Sequence, residues 1–218
     1  STPHDNTSIG TGFGTAKTKY PCNPISNTQG FINNNNTSFA RYCAGYTLKN
    51  VDFKNIDIKT STRKASLFAN NVYGDINVDG VDISGNFKAL AVSCFDMGLF
   101  FGWHYTGNTN IKNVNIDVQM RSGRWAPGML GSSYASATIE PRNHLFENIV
   151  LNGYLNSEGW AECDRTFGGA TTDGGGKAGV FIGTVRAGNN ITCKNVVINA
   201  DVTTYRGYWS QESGYMFG

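Results

Sequence analysis

The sequence predicts an all-β protein, a single-domain parallel β-helix (β-solenoid) of about five irregular coils with an N-terminal cap. Three observations carry this prediction: a short alternating strand that recurs, an apolar plug closed by glycine that recurs with it, and aliphatic residues that return to the same places in each copy. Ile111 to Gly131, IKNVNIDVQMRSGRWAPGMLG, shows both halves, the strand on Asn-Val-x-Ile and the plug Gly128-Met129-Leu130-Gly131. The other strand halves read FKNIDI from Phe53, VDGVDI from Val78, FENIVL from Phe146 and CKNVVI from Cys193. The other plugs read SLFA from Ser66, GLFFG from Gly98, GVFIG from Gly179 and GYMFG from Gly214.

Asn55, Gly80, Asn113, Asn148 and Asn195 serve as anchors, with successive spacings of 25, 33, 35 and 47 residues, which is repetition with loops of changing length. One and three residues after each anchor stand Ile56 and Ile58, Val81 and Ile83, Val114 and Ile116, Ile149 and Leu151, Val196 and Ile198. Asp57, Asp82 and Asn115 lie between them in the first three units, giving the period of two of a half-buried strand; Val150 and Val197 make the last two drier outside. One such unit cannot bury a core, but parallel units stacked at roughly 4.8 Å place each aliphatic column on its neighbours. Asn55, Asn113, Asn148 and Asn195 are then expected to form a structural ladder, side-chain amides bonding from layer to layer and to the turn backbone.

Residues 1–47 carry no copy of the strand and read as the cap, rich in Gly, Thr, Asn and Pro; the repeats occupy 48–218. Within and just beyond the cap come Gly10-Thr11-Gly12, Tyr20-Pro21, the run Pro24 to Phe31, and Gly45-Tyr46-Thr47-Leu48-Lys49-Asn50-Val51-Asp52-Phe53. With the plugs at Gly98, Gly128, Gly179 and Gly214, this resembles bacterial and protist surface proteins that carry glycine-rich GLUG-type repeats. The resemblance implies a secreted or cell-surface β-solenoid, often adhesive. It departs from the pattern at the first plug, which lacks both glycines, at Gly80, which replaces Asn, and at Val51, where the family often has an acidic residue. Some members carry a zinc protease, but no HExxH occurs here, so that activity is not carried over.

Eighteen basic and sixteen acidic residues leave a net charge of +2, too weak and scattered to argue for nucleic acid or an anionic membrane, and no apolar run reaches the roughly 20 residues of a membrane span. The chain opens at Ser1 without a charged-then-apolar leader, so any leader is expected to be already removed or not included. It closes on the plug Gly214 to Gly218 where a polar cap is expected, so either more repeats or another subunit should cover that end.

Cys22, Cys43, Cys94, Cys163 and Cys193 show no CxxC spacing and no His-rich partner set; no metal or cofactor is expected. Candidate disulfides are Cys22 with Cys43 and Cys163 with Cys193, the alternative being reduced thiols in a cytosolic protein. Candidate glycosylation sites are Asn6, Asn35, Asn36 and Asn190.

Trp125 and Trp160 fall twelve residues after their anchors and Trp209 fourteen, so the last three units can stack indoles along one face, with Arg124 and Tyr208 nearby. Exposed, the row makes a platform for sugar rings; buried, it is wide core at a corner. A second cluster, Trp103-His104-Tyr105, follows the second plug, its His expected to be structural. The glycine-rich insertion Ser157 to Lys177 lacks the Gly-Lys-Ser/Thr of a phosphate loop and is a candidate binding loop.

Three functions fit. A structural or adhesive solenoid of the cell surface or extracellular space leads, self-associating through its ends and meeting a glycan or host-surface ligand. A carbohydrate-binding module using the tryptophans comes second. A polysaccharide lyase or hydrolase is third: Asp57 and Asp82 would stand about one layer apart, around 5 Å, but they occupy ordinary solvent-facing positions.

Overall fold

The computed structural model describes residues 32–33, 38–60, 64–89, 96–122, 127–157, 178–204, 213–214 and 217. Every regular element among them is a β-strand, and every pairing between strands is parallel. The protein is a β-solenoid whose rungs each comprise an apolar plug, a short strand, a bend and a long strand.

The short strands, Ala40–Cys43, Ala69–Tyr73, Phe101–Thr106, Gly131–Tyr134 and Ile182–Val185, form a five-stranded sheet in chain order. The long strands, Tyr46–Thr60, Ile76–Ala89, Thr109–Ser122, Arg142–Ser157 and Asn189–Ile198, stack in the same order in a second sheet, and Asp201–Thr204 prolongs the last of them. Rungs 1 to 5 are numbered accordingly. The short strand of rung 1 lies inside the segment that the sequence assigned to the cap, and Ile32–Asn33 pairs with Lys59 and Thr60 beneath it.

The asparagine column is real, but its first member differs from the sequence expectation. Lys49 pairs with Asp79 and Val51 with Val81, so Asn50, not Asn55, stands under Gly80. The column runs Asn50, Gly80, Asn113, Asn148, Asn195, with φ of 51, 68, 53, 55 and 51°. All five are left-handed, a conformation in which Asn is tolerated and Gly meets no Cβ penalty; that is why Gly80 can replace Asn there. The left-handed residue shifts the alternation. Ile111 and Val114 are buried while Lys112 and Asn113 between them both turn outward, so the strand rounds a corner and resumes.

Asn55 is also left-handed, at φ 57°, for another reason. Phe53 pairs with Ile83 and Ile56 with Gly85, so Lys54 and Asn55 together face Ser84, a one-residue bulge. The Asn55 amide donates to Ser84 Oγ at 3.4 Å. Lys49-Asn50-Val51-Asp52-Phe53 and Lys54-Asn55-Ile56-Asp57-Ile58 are tandem matches to one pattern, and the first is the rung.

With that register the inward columns are continuous. Leu48, Val78, Ile111 and Phe146 stack, as do Val81, Val114 and Ile149, then Ile83, Ile116 and Leu151, and beyond the bulge Ile58, Phe87, Met120 and Leu155. Members on rungs 2 to 4 are almost fully buried, each stabilising the fold by about 1.5–3 kcal/mol. Val196 and Ile198 on rung 5 are only half-buried, because they lie at the edge of the described stack.

The plugs fill the other side of the core. Phe39 stacks on Phe68 at 5.7 Å and Phe68 on Phe100 at 5.5 Å, with Leu130 and Phe181 buried on the next rungs. The plug glycine is there for space. A Cβ on Gly131 would lie 2.1 Å from the ring of Phe101, the residue paired with it on the rung below.

Candidate functional site

Trp125, Trp160, Trp209, Arg124 and Tyr208 lie outside the described residues, so the tryptophan row is not placed. Trp103 is placed, half-buried on the short strand of rung 3, and it belongs to a different aromatic ladder.

Tyr42, Tyr73 and Tyr105 come from rungs 1, 2 and 3, each just ahead of a glycine-containing bend. Tyr42 and Tyr73 stack at 6.4 Å, Tyr73 and Tyr105 at 4.7 Å with an interplanar angle of only 4°, and Tyr105 meets Trp103 at 5.4 Å. A register slip after Val72 aligns Tyr73 with Thr106 and brings Tyr105 into this position. Guanidinium groups close both ends, Arg41 at 5.4 Å over Tyr42 and Arg186 at 4.7 Å over Trp103. Such contacts add about 0.5–1 kcal/mol each at an exposed site.

This geometry decides what the ladder can do. A sugar platform offers a free ring face, whereas here each ring stacks on neighbouring rings or lies under a guanidinium. The ladder stiffens the flank of the solenoid. Partial burial raises the Tyr105 phenol above its usual value, the main effect ahead of the nearby Asp96.

On the long sheet, Asn148 Nδ2 donates to Asn113 Oδ1 at 2.8 Å and Asn195 Nδ2 to Asn148 Oδ1 at 2.9 Å. Asn113 in turn donates to Asp79 Oδ1 at 2.7 Å, which substitutes for the side chain Gly80 lacks. A second amide column runs through Asn199, Asn152 and Asn115, with contacts of 3.1 and 3.4 Å.

A third constellation is buried between the sheets. Tyr134 donates to Thr109 Oγ1 at 3.1 Å, Thr109 Oγ1 lies 3.3 Å from His104 Nδ1, and His104 Nε2 is 2.8 Å from the carbonyl of Gly74. With Nε2 donating to that carbonyl, the chain is satisfied by a neutral imidazole. His144 stacks on Tyr134 at 3.9 Å and places Nε2 2.9 Å from Asn189 Oδ1. Arg142 donates to the carbonyls of His104, at 3.1 Å, and Ala135. Burial pushes His104 down to about 3 and His144 down to about 4, the adjacent Arg142 adding to both. No one rung contributes the whole set, so nothing in the linear sequence marks it.

The remaining candidates fall as follows. Asp57 pairs with Asn86, and Asp82 pairs instead with Asp52. The adjacent-rung carboxylates are therefore Asp52 and Asp82, and Asp52, 53% exposed, is ion-paired with Lys54 at 2.9 Å. Asp52 is exposed and Asp82 half-buried, both on the outward side of the long sheet. Cys22 and Cys163 lie outside the described residues, so neither candidate disulfide is placed; Cys43 donates its S–H to the Gly45 carbonyl at 3.0 Å, and burial pushes its thiol up to about 11. Asn6, Asn35 and Asn36 lie outside the described residues as well, and the Asn190 amide nitrogen, where a glycan would attach, donates to Asn143 Oδ1 at 3.3 Å within a paired strand. Among the described residues no three His, Cys, Asp or Glu side chains converge as a metal site.

The chain matches no protein-family model, no curated protein and no solved structure, so function has to be read from its own residues.

Proposed function

We infer that this chain is a rigid segment of a secreted or cell-surface β-solenoid with a structural and adhesive role. The observation that carries this reading is the unbroken register of rungs 3 and 4, paired from Thr109 with His144 to Ser122 with Ser157 and fixed on the outside by the amide column. A stack so locked is a rod, and its outward columns form regular surfaces along its length. The resemblance to GLUG-type surface repeats supports the same reading.

End-to-end contact follows from the edges. Rung 5 presents the strand Asn189–Ile198 with Val196 and Ile198 half-buried and Val197 43% exposed, a surface that a rung of a second copy would cover. Negative-stain imaging with light scattering at several concentrations tests this. Rods that lengthen with concentration, and that shorten in Ile198→Lys, are expected; monomers at every concentration overturn self-association.

A further inference from the structure

We propose that the cleft between the bends of rungs 3 and 4 binds a single neutral sugar residue, such as the exposed end of a glycan chain. This rests on the adhesive reading above and names a site and a ligand class for it.

The rung 4 bend is unlike those before it. Rungs 1 to 3 pass from short to long strand through Ala44-Gly45, Gly74-Asp75 and Gly107-Asn108, whereas rung 4 uses residues 135–141. Turning the chain needs only the shorter form, so the extra length is surplus to the fold, and such loops on a rigid scaffold commonly carry binding. The base of this loop is pinned on both sides. The Ala135 N–H donates to the His104 carbonyl of rung 3 at 3.0 Å, and the Ala137 N–H to the Ala187 carbonyl of rung 5 at 2.9 Å. The rest of the loop, with Thr106 to Asn108 of rung 3, lines a cleft of about 300 Å3. A loop held at its base before a ligand arrives has less freedom to lose on binding.

The chemistry of the lining narrows the ligand. Thr106, Asn108, Ser136, Thr138 and Glu140 line the cleft, and all are exposed. Asn108 Oδ1 already accepts from the Asn143 backbone amide at 2.8 Å, which fixes the side chain and leaves its Nδ2 hydrogens to donate. Glu140 forms no ion pair among the described residues, so its carboxylate is an open acceptor, and the three hydroxyls act in either sense. Ile139 stands 93% exposed between Thr138 and Glu140, an apolar lip in an otherwise polar loop. A sugar ring has the matching pattern, hydroxyls that donate and accept around an apolar C–H face. An anion finds no free cation here, because Arg142, which also lines the cleft, is buried and donates to the carbonyls of His104 and Ala135. Calcium takes about 6–8 oxygens, commonly from several carboxylates, and Glu140 is the single carboxylate lining the cleft. Ligand sites span about 300–1,000 Å3, so this one, at the small end, suits one residue at a chain end better than a long polymer.

The test is amide shift mapping by NMR on the whole chain, titrated into the millimolar range with methyl mannoside, methyl galactoside and methyl glucoside, and separately with galacturonate and with Ca2+ alone. Wild type, Glu140→Ala, Thr138→Val and the control Asp57→Asn are compared. At least one glycoside is expected to shift the amides of residues 106–108 and 136–140, with binding weakened at least tenfold in Glu140→Ala and at least threefold in Thr138→Val, but within twofold of wild type in Asp57→Asn. Galacturonate should bind at least tenfold more weakly than that glycoside, repelled by Glu140. Both substituted cleft residues are exposed, so melting should match the wild type and lost binding reads the site rather than the fold. No binding of any glycoside, shifts centred on other residues, tighter binding of galacturonate, or the same shifts from Ca2+ alone overturns the proposal. A glycoside bound elsewhere leaves the adhesive reading standing, and imaging reads rod assembly in either case, so the readings fail separately.

Discussion

Asn148 donates its side-chain amide to Asn113 Oδ1 at 2.8 Å one rung below, and both residues hold left-handed backbones at φ 55 and 53°. One side chain thus does two things at once: it tolerates the corner conformation and it ties that corner to the next. Glycine at Gly80 does only the first, and the tie passes to Asp79.

The two contributions separate experimentally. Asn148→Ala loses the bonds to Asn113 and Asn195 and forces a Cβ-bearing residue without a compensating polar group into the left-handed region, which costs about 1–2 kcal/mol. Asn148→Gly loses the bonds alone. Urea denaturation should show the alanine variant the less stable of the two by about 1 kcal/mol. Equal losses would mean that the ladder bonds, not the backbone, dominate the corner.

Gly131→Ala should be among the most damaging single-methyl additions in the chain. The new Cβ would sit 2.1–2.5 Å from three atoms of the Phe101 ring, a ring that is itself fully buried against Tyr134 at 5.0 Å. Overpacking of this kind costs about 1–3 kcal/mol. Adding Phe101→Leu to the alanine variant should recover part of the melting temperature by making room, although Phe101→Leu alone lowers it; a simple sum of the two losses would refute the contact.

Acid should weaken the fold well above the range where carboxylates titrate. His104 and His144 ordinarily take up a proton near pH 6.5, but in the folded chain they do so only near 3 and 4. As pH falls below 6.5 the unfolded chain binds protons that the folded chain refuses. Stability is therefore fully present above that value and declines toward the folded values, by up to about 1.4 kcal/mol per pH unit for each histidine. Unfolding measured between pH 7.5 and 5 should show this slope. His144→Gln, which keeps a donor for Asn189, should reduce the slope by about half; an unchanged slope would place the proton uptake elsewhere.

The fold was legible where one residue type had one reason to recur. Val81, Val114 and Ile149 are buried on successive rungs, and an alternating pattern with a fixed neighbour is enough to find them. The pattern faltered at Asn50 and Asn55, where two copies stand in tandem and only pairing with Gly80 separates a corner from a bulge. The tyrosine ladder escaped because its rings sit on short strands of four to six residues, too brief to show a period; the signal that was present is an aromatic ahead of each glycine bend. The pairing of Lys59 with Lys88 likewise emerges only once the bulge at Asn55 is counted.

That register also divides the chain into places where its length is fixed and places where it is free. Inserting one residue between Thr109 and Ser122 would turn every following side chain of the strand to the opposite face, exposing Met120 and burying Arg121. Inserting several in the bend between Tyr134 and Arg142 adds only loop-closure entropy, which grows slowly with length. Change by insertion is therefore channelled to the bends between short and long strands, so such a protein can acquire new surface contacts while its interior stays the same.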